Sequence, residues 1–340
     1  MLYERILKLA QAASSITTNP TLNAFELNEC KLLDEKYVQD PFIKKKVDKC
    51  IGYLEDLCID YNAKYRSAYE EYNEGITYIR ISEHFHIKPV NESTTSTPDF
   101  IVNVPGSVEG NFYIELKSLS FTEGNLNYKE AQRGSLDANI SIEKQLSDGK
   151  NIGFGENIIS PFNIGGRSPS TRELIEIYIG KLNNNIKKGQ YILGDTVLMI
   201  DIKQLLLDTS WSNAGAALYQ EQQMKSIASG VLWNVAFGQQ GDQIFKQIEY
   251  ESASNIDSKL TRNGILIDYE YIKGLIFVAY ENFQHPKFIG FYRNIDEEKP
   301  FSVFINFFCN FYNDNLNTWA YRILQGNHNL VPLIHSQKIN

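Results

Sequence analysis

Pro98-Asp99-Phe100-Ile101-Val102-Asn103-Val104 and Phe112-Tyr113-Ile114-Glu115-Leu116-Lys117 are the two stretches on which the reading of the fold turns. Both are rich in β-branched and aromatic residues, the side chains that suit a pleated, half-buried surface. Pro105-Gly106 and Glu109-Gly110 lie between them and mark a hairpin-like connection. Positions i and i+2 of a strand share a face, so Glu115 and Lys117 point one way while Ile114 and Leu116 point the other. Paired as a hairpin, the strands bring Asp99 beside Glu115 at the open end of the sheet. Two carboxylates meeting there make a hard-oxygen site for Mg²⁺, to which the backbone carbonyl of Leu116 could add a ligand. A cation two residues from a metal-binding Glu has a specific use: it orients or deprotonates an attacking water and neutralises charge on a phosphate in the transition state.

Working outward, the segment from Pro41 to about Tyr69 reads as a helix. Val47, Cys50, Ile51, Leu54, Leu57, Cys58, Tyr61 and Tyr65 recur at spacings of 3 and 4 and form one apolar stripe. Ile76–Ile87 is β-branched and aromatic and predicts a strand, followed by a polar turn at Asn91–Thr97. Residues 120–168 are crowded with Gly, Asn and Ser, with one weak helix near Ile140–Gln145. They read as a long loop or an insertion reaching over a substrate. Ser170 or Thr171 is an N-cap with Glu173 in the first turn, and the helix runs to about Lys188, where Gly189 stops it. Val197–Ile202 is nearly continuous apolar sequence, as in a strand buried on both faces.

The expected fold class is α/β, with an α-β-β-β-α-β core and a mixed central sheet. The chain divides into an N-terminal helical extension (1–40), a core (41–205) with an insertion at about 120–168, and a C-terminal α+β part (206–340). That last part either extends the sheet or forms an accessory lobe. In it, a helix near Gln222–Phe237 and strands near Gly274–Tyr280 and Phe288–Tyr292 are expected; Phe304–Tyr312 is buried and aromatic but of open type.

With 340 residues, 43% of them hydrophobic, the chain is long enough for a large core. Four cysteines (Cys30, Cys50, Cys58, Cys309) with no Cys-x2-4-Cys pair exclude a disulfide scaffold and a zinc ribbon. No apolar run approaches the roughly 20 residues of a membrane span. Met1–Ala13 reads as an amphipathic helix without a signal-peptide core. The expectation is a soluble, reduced, cytoplasmic protein with no membrane partner. A net charge of −8 argues against a protein that coats nucleic acid, but not against an enzyme that grips DNA locally.

The Pro98-Asp99…Glu115-Leu116-Lys117 pair, set in an α-β-β-β-α-β order over roughly residues 41–202, resembles the PD-(D/E)xK nuclease superfamily, the restriction-endonuclease-like fold. Members of that family mostly cut DNA phosphodiester bonds with Mg²⁺. The resemblance implies that Asp99 and Glu115 bind Mg²⁺ (or Mn²⁺), with Leu116 contributing its carbonyl, and that Lys117 serves the water. The family often adds an acidic residue from the preceding helix in a Gly-x-x-Glu pattern; Gly52-Tyr53-Leu54-Glu55 matches it, which makes Glu55 a catalytic candidate and Glu83 a weaker one. A role in restriction or defence fits at the level of family analogy. The alternative is a nuclease-fold subunit that has lost catalysis and acts as a DNA- or protein-binding module. Whether a homodimer forms to cut both strands is open.

The Asp/Glu-x-Lys tripeptide recurs, for example at Asp34-x-Lys36 and Asp148-x-Lys150. Asp201-Ile202-Lys203 is the serious competitor because it ends a buried strand, and it supports a third reading as an unrelated α/β enzyme. Pro-Asp occurs only once. Arg167, Arg172 and Lys181, with Lys187 and Lys188, form a basic group able to contact phosphates or simply be solvated. Lys44-Lys45-Lys46 reads as a solvated helix start. His84 and His86 read as a satisfied pair. Asn151-Ile152-Gly153-Phe154-Gly155 and Gly165-Gly166-Arg167 lack a Walker lysine.

Overall fold

A computed structural model describes residues 1–13, 22, 24–55, 61–91, 96–105, 110–119, 128–155, 169–205, 218–219, 227–228, 230–245, 256–281, 285–315 and 319–321. The chain forms two compact units. The first comprises Met1–Thr77, Ser120–Ser168 and Gln204–Leu206; the second comprises Tyr78–Leu119, Pro169–Lys203 and Leu207–Asn340. These units cut across the three segments 1–40, 41–205 and 206–340.

The first unit is helical: α1 (Leu2–Ala13), α2 (Leu27–Lys36), α3 (Pro41–Glu55), most of α4 (Tyr61–Ser82) and α5 (Tyr128–Ser147). The N-terminus of α1 would leave N–H groups without partners. The Asp34 carboxylate of α2 accepts two of them, from Leu2 at 3.0 Å and Tyr3 at 3.1 Å. Phe25, Tyr69 and Tyr72 form an aromatic cluster, with Phe25 edge-on to Tyr69 at 5.3 Å. Lys46 of α3 is buried, with its ammonium 2.9 Å from Glu71 and also bonded to Glu74, both on α4. The triple-lysine helix start is therefore solvated at Lys44 and Lys45 but not at Lys46.

The second unit holds twelve described strands. In chain order they are β1 (His86–Pro89), β2 (Phe100–Asn103), β3 (Asn111–Ser118), β4 (Thr196–Asp201), β5 (Leu218–Tyr219), β6 (Ile227–Ala228), β7 (Gln243–Phe245), β8 (Ile256–Lys259), β9 (Ile272–Glu281), β10 (His285–Tyr292), β11 (Phe311–Asp314) and β12 (Trp319–Tyr321). Eight of them make one mixed sheet in the order β1-β2-β3-β4-β9-β10-β11-β12, and β5–β8 make a second, four-stranded sheet. The first three strands form an antiparallel meander. Helix α6 (Thr171–Asn185) then lies between β3 and β4, which pair in parallel, and β9 pairs parallel to β4. The protein is thus α/β, and its C-terminal strands extend the central sheet.

Paired residues share a face, and faces alternate along each strand. Glu115, Leu198, Leu275 and Phe291 are in line across β3, β4, β9 and β10. On this face α7 (Val231–Phe237) packs through Phe237, whose ring lies 6.2 Å from that of Phe291. A short helix, α8 (Ile265–Asp268), leads into β9. The opposite face carries Phe112, Gly274 and Gly290 and is covered by α9 (Pro300–Phe308), with Phe304 5.0 Å from Phe112. All six residues of β4 are buried, as its apolar run predicts.

Several expectations need correction. Ile76–Ile87 is not a strand: α4 continues to Ser82, and β1 is only His86–Pro89. Tyr65, Ala68, Tyr69, Tyr72, Ile76 and Ile79 are all buried at helical spacing, so packing overrides the β-propensity of the isoleucines. Of the helix expected from Pro41 to about Tyr69, Pro41–Glu55 is α3 and Tyr61–Tyr69 falls in α4, while Leu57 and Cys58 lie outside the described residues. Much of the supposed loop at 120–168 is the 20-residue α5. Helix α6 ends at Asn185, ahead of Gly189. In place of a helix over Gln222–Phe237 there is β6 and then the seven-residue α7. Phe304–Tyr312 holds the end of α9 and the start of β11.

Candidate active site on the β2–β3 hairpin

The β2–β3 turn is closed by the Val104 N–H, which donates to the Gly110 carbonyl at 2.9 Å. Gly110 has φ of 60°, a left-handed value that glycine adopts without a Cβ clash. This turn sets the register, which runs from Asn103 opposite Asn111 to Phe100 opposite Ile114, and Asp99 enters the hairpin just before that last pair. The Asp99 N–H donates to the Ile114 carbonyl at 3.0 Å, and its own carbonyl accepts from Val90 at 2.9 Å. Asp99 is thereby held by its backbone between β1 and β3.

Asp99 also reaches sideways. Its Oδ2 accepts the Leu116 N–H at 2.7 Å. A strand residue in an antiparallel pair exchanges N–H and C=O with the same neighbour, so the Leu116 carbonyl leaves β3 on the Asp99 side. Glu115 is 1% exposed, and its Oε1 accepts from Lys117 Nζ at 2.5 Å and from the Gln190 amide. Asp99 and Lys117 are only half-buried, which keeps one side of the cluster open to solvent.

Gln190 and Tyr191 come from a 3-10 turn, Lys188–Tyr191, that precedes β4. The Tyr191 hydroxyl is buried and makes no hydrogen bond among the described residues. Burial raises its pKa, and the charges of Glu115, Tyr271 and Asp99 push it further up. The hydroxyl therefore remains a proton donor within electrostatic reach of both carboxylates. Sequence reasoning missed this pair. The usable signal was position: the crossover from β3 to β4 has to return across the sheet, and 188–191 is its last turn.

Asp99, Glu115, Leu116 and Lys117 are brought together as the hairpin predicts. Glu55 ends α3 in the first unit and is exposed. Glu83 lies in the turn after α4, not in a strand, and is exposed. Of the basic group, Arg167 lies outside the described residues, as do Gly165 and Gly166. Arg172 pairs with Glu176 at 3.2 Å, Lys181 is buried, and Lys187 and Lys188 are exposed. The competing Asp201 and Lys203 form a buried ion pair with each other at 3.2 Å. His84 and His86 are exposed, with His84 against the Phe307 ring at 5.5 Å.

Among the described residues, no group of three or more His, Cys, Asp or Glu side chains is placed to hold a metal. A hard cation at this position would be held by two carboxylates and a backbone carbonyl. The Tyr191 hydroxyl, buried without a hydrogen bond among the described residues and felt electrostatically by Glu115 and Asp99, is a donor that a bound water or phosphate oxygen would satisfy. Among the described residues, no helix is long and apolar enough to cross a membrane. No family model, curated protein or solved structure matches the chain.

Proposed function

We propose that the second unit is a Mg²⁺-dependent deoxyribonuclease of the restriction-endonuclease-like type, which hydrolyses phosphodiester bonds in DNA. The observation that carries this reading is the convergence of Asp99, Glu115 and Lys117 on one end of the β2–β3 hairpin, tied by the Asp99–Leu116 bond at 2.7 Å. The order β1-β2-β3-α6-β4 in the second unit, interrupted between β3 and α6 by the first unit's α5, with β3 and β4 parallel, supports the same reading. Restriction or defence in a reducing cytoplasm is the setting we infer, and buried thiols at Cys30, Cys50 and Cys309 suit it.

Asp99 Oδ1 and Oδ2, Glu115 and the Leu116 carbonyl would hold Mg²⁺ or Mn²⁺. The bound cation would supply Lewis-acid stabilisation of the charge that grows on the phosphate oxygens. Lys117 Nζ, on the same face as Glu115, orients the attacking water and offsets part of that charge. The water oxygen bonds to phosphorus as one of its protons passes to bulk solvent, the ester P–O bond opposite it breaks, and the departing alkoxide takes up a proton from solvent. Gln190 fixes the Glu115 carboxylate, and Tyr191 donates toward the phosphate.

Incubation of plasmid and linear DNA with the protein in Mg²⁺ or Mn²⁺ tests the assignment. Wild-type protein cuts; Asp99→Asn and Lys117→Ala lose about 10²–10³-fold in rate. Undiminished cutting by both variants would overturn it.

One observation favours a second reading, a non-catalytic DNA- or protein-binding subunit. Glu115 is buried and already engaged by Lys117 and Gln190, as a purely structural carboxylate would be. Calorimetric titration with Mn²⁺ separates the two. Binding that weakens in Glu115→Gln supports the nuclease, and no heat with wild-type protein supports the subunit.

A further inference from the structure

The tyrosine next to the carboxylates does not stand alone. Its ring lies 5.3 Å from that of Tyr271, which in turn lies 5.6 Å from Tyr269. The row begins at a buried ring, Tyr191, and ends at two half-exposed ones. It thus leads from the carboxylate cluster out to solvent.

The mounting of the outer rings is rigid. Tyr269 and Tyr271 flank the turn between α8 and β9, and Arg293 grips this turn from β10's end. Its guanidinium donates to the carbonyls of Ile272 at 3.0 Å, Tyr269 at 3.3 Å and Leu266. An arginine used up on three backbone carbonyls is a structural clamp, and it fixes the turn against the sheet. Lys187 and Lys188 are exposed at the turn carrying Tyr191, Lys273 lies two residues after Tyr271 with its Nζ on the Glu270 carbonyl at 3.1 Å, and the exposed Asp268 and Glu270 stand on either side of Tyr269 in the chain.

We propose that Tyr271 and Tyr269 form a stacking subsite for unpaired nucleobases, so that the strand presented to Asp99 and Glu115 is single-stranded. Every base offers a π-face, so half-exposed aromatic rings accept a base without reading sequence. A base within a duplex is stacked on its neighbours and has no free face to offer. Recognition here therefore depends on unpairing, as at a fork, a flap or a free strand. This inference rests on the nuclease reading only for the identity of the strand; the stacking itself is a binding property.

The probe is a fluorescein-labelled single-stranded oligodeoxynucleotide, its duplex, and an oligoribonucleotide of the same sequence. Binding is read by fluorescence anisotropy with the full-length Asp99→Asn protein. The single strand is expected to bind at least about tenfold more tightly than the duplex, and Tyr271→Leu is expected to lose about tenfold of that affinity. Tyr271→Phe keeps the ring and is expected to bind as the parent does, which controls for folding. Comparable binding of the ribonucleotide assigns the subsite to unpaired bases of either sugar; its absence restricts the subsite to deoxyribose. Equal affinity for single strand and duplex, or no change in Tyr271→Leu, overturns the proposal. Binding that depends on Tyr271 without any cutting by wild-type protein would sink the nuclease reading and leave the subsite standing. Cutting that is indifferent to Tyr271 would do the reverse.

Discussion

Asp99 and Leu116 are joined by a hydrogen bond that crosses the open end of the hairpin, from the Leu116 N–H to Asp99 Oδ2 at 2.7 Å. One oxygen of the carboxylate is thereby tied to the backbone of the strand that carries Glu115. The orientation of Asp99 follows β3 and does not depend on a free rotamer.

Replacing Asp99 by Asn should therefore separate structure from activity. The amide oxygen still accepts from Leu116, so stability is expected within about 1 kcal/mol of wild type by urea unfolding. Metal-dependent cutting is expected to fall about 10²–10³-fold, because one of the two charges that would hold the cation is gone.

Gln190 acts on the site through Glu115. Gln190→Leu removes an amide donor from the carboxylate and leaves Lys117 in place. Mn²⁺ affinity is expected to fall about 10–100-fold by calorimetry, with an unchanged circular dichroism spectrum. An unaltered affinity would mean that Gln190 only closes the crossover.

Lys46 governs the first unit. Burial pulls its pKa down, but Glu74 and Glu71 outweigh that, and the ammonium is held above its ordinary value. A raised lysine pKa stabilises the fold while the group is charged in both states. That contribution is fully present below the unfolded value of about 10.4 and fades as pH rises through the folded one. Thermal unfolding should show a loss of stability confined to strongly alkaline pH, and Lys46→Met should remove this alkaline step. At neutral pH the same variant removes the buried cation shared by Glu74 and Glu71, leaving Glu71 to Lys49 at 3.2 Å, and should cost about 1–3 kcal/mol.

Gly290 lies where α9 meets the sheet. A Cβ there would run into Ile305 and would stand 2.9 Å from Cys309 Sγ. Gly290→Ala is expected to cost about 1–3 kcal/mol in urea unfolding. Adding Ile305→Val to the alanine variant should cost less than it does in wild type, since it makes room for the new methyl.

The hairpin was legible because its alternation, its Pro-Asp entry and its Gly110 turn all agree. The same holds for the α6 N-terminus, where Ser170 and Glu173 form the expected capping box. Residues 76–82 were not legible: Ile76, Ile79 and Ile81 suit a strand as well as a helix, and only their neighbours in space decide. Helix α5 was obscured because, among its described side chains, the apolar Leu136, Ile140 and Leu146 are exposed and mark no core-facing stripe. Gln190 and Tyr191 carry no motif at all; their meaning comes from the crossover that lays them over Glu115.

β4 is completed only by partners far apart in the chain. Its six residues are buried, β3 flanks it on one side, and β9, which begins at Ile272, flanks it on the other. A nascent chain that has emerged only as far as residue 205 therefore shows a bare, largely apolar strand edge to every other copy nearby. Fragments cut there should self-associate, and synthesis of the intact chain should place its heaviest demand on chaperones before β9 leaves the ribosome.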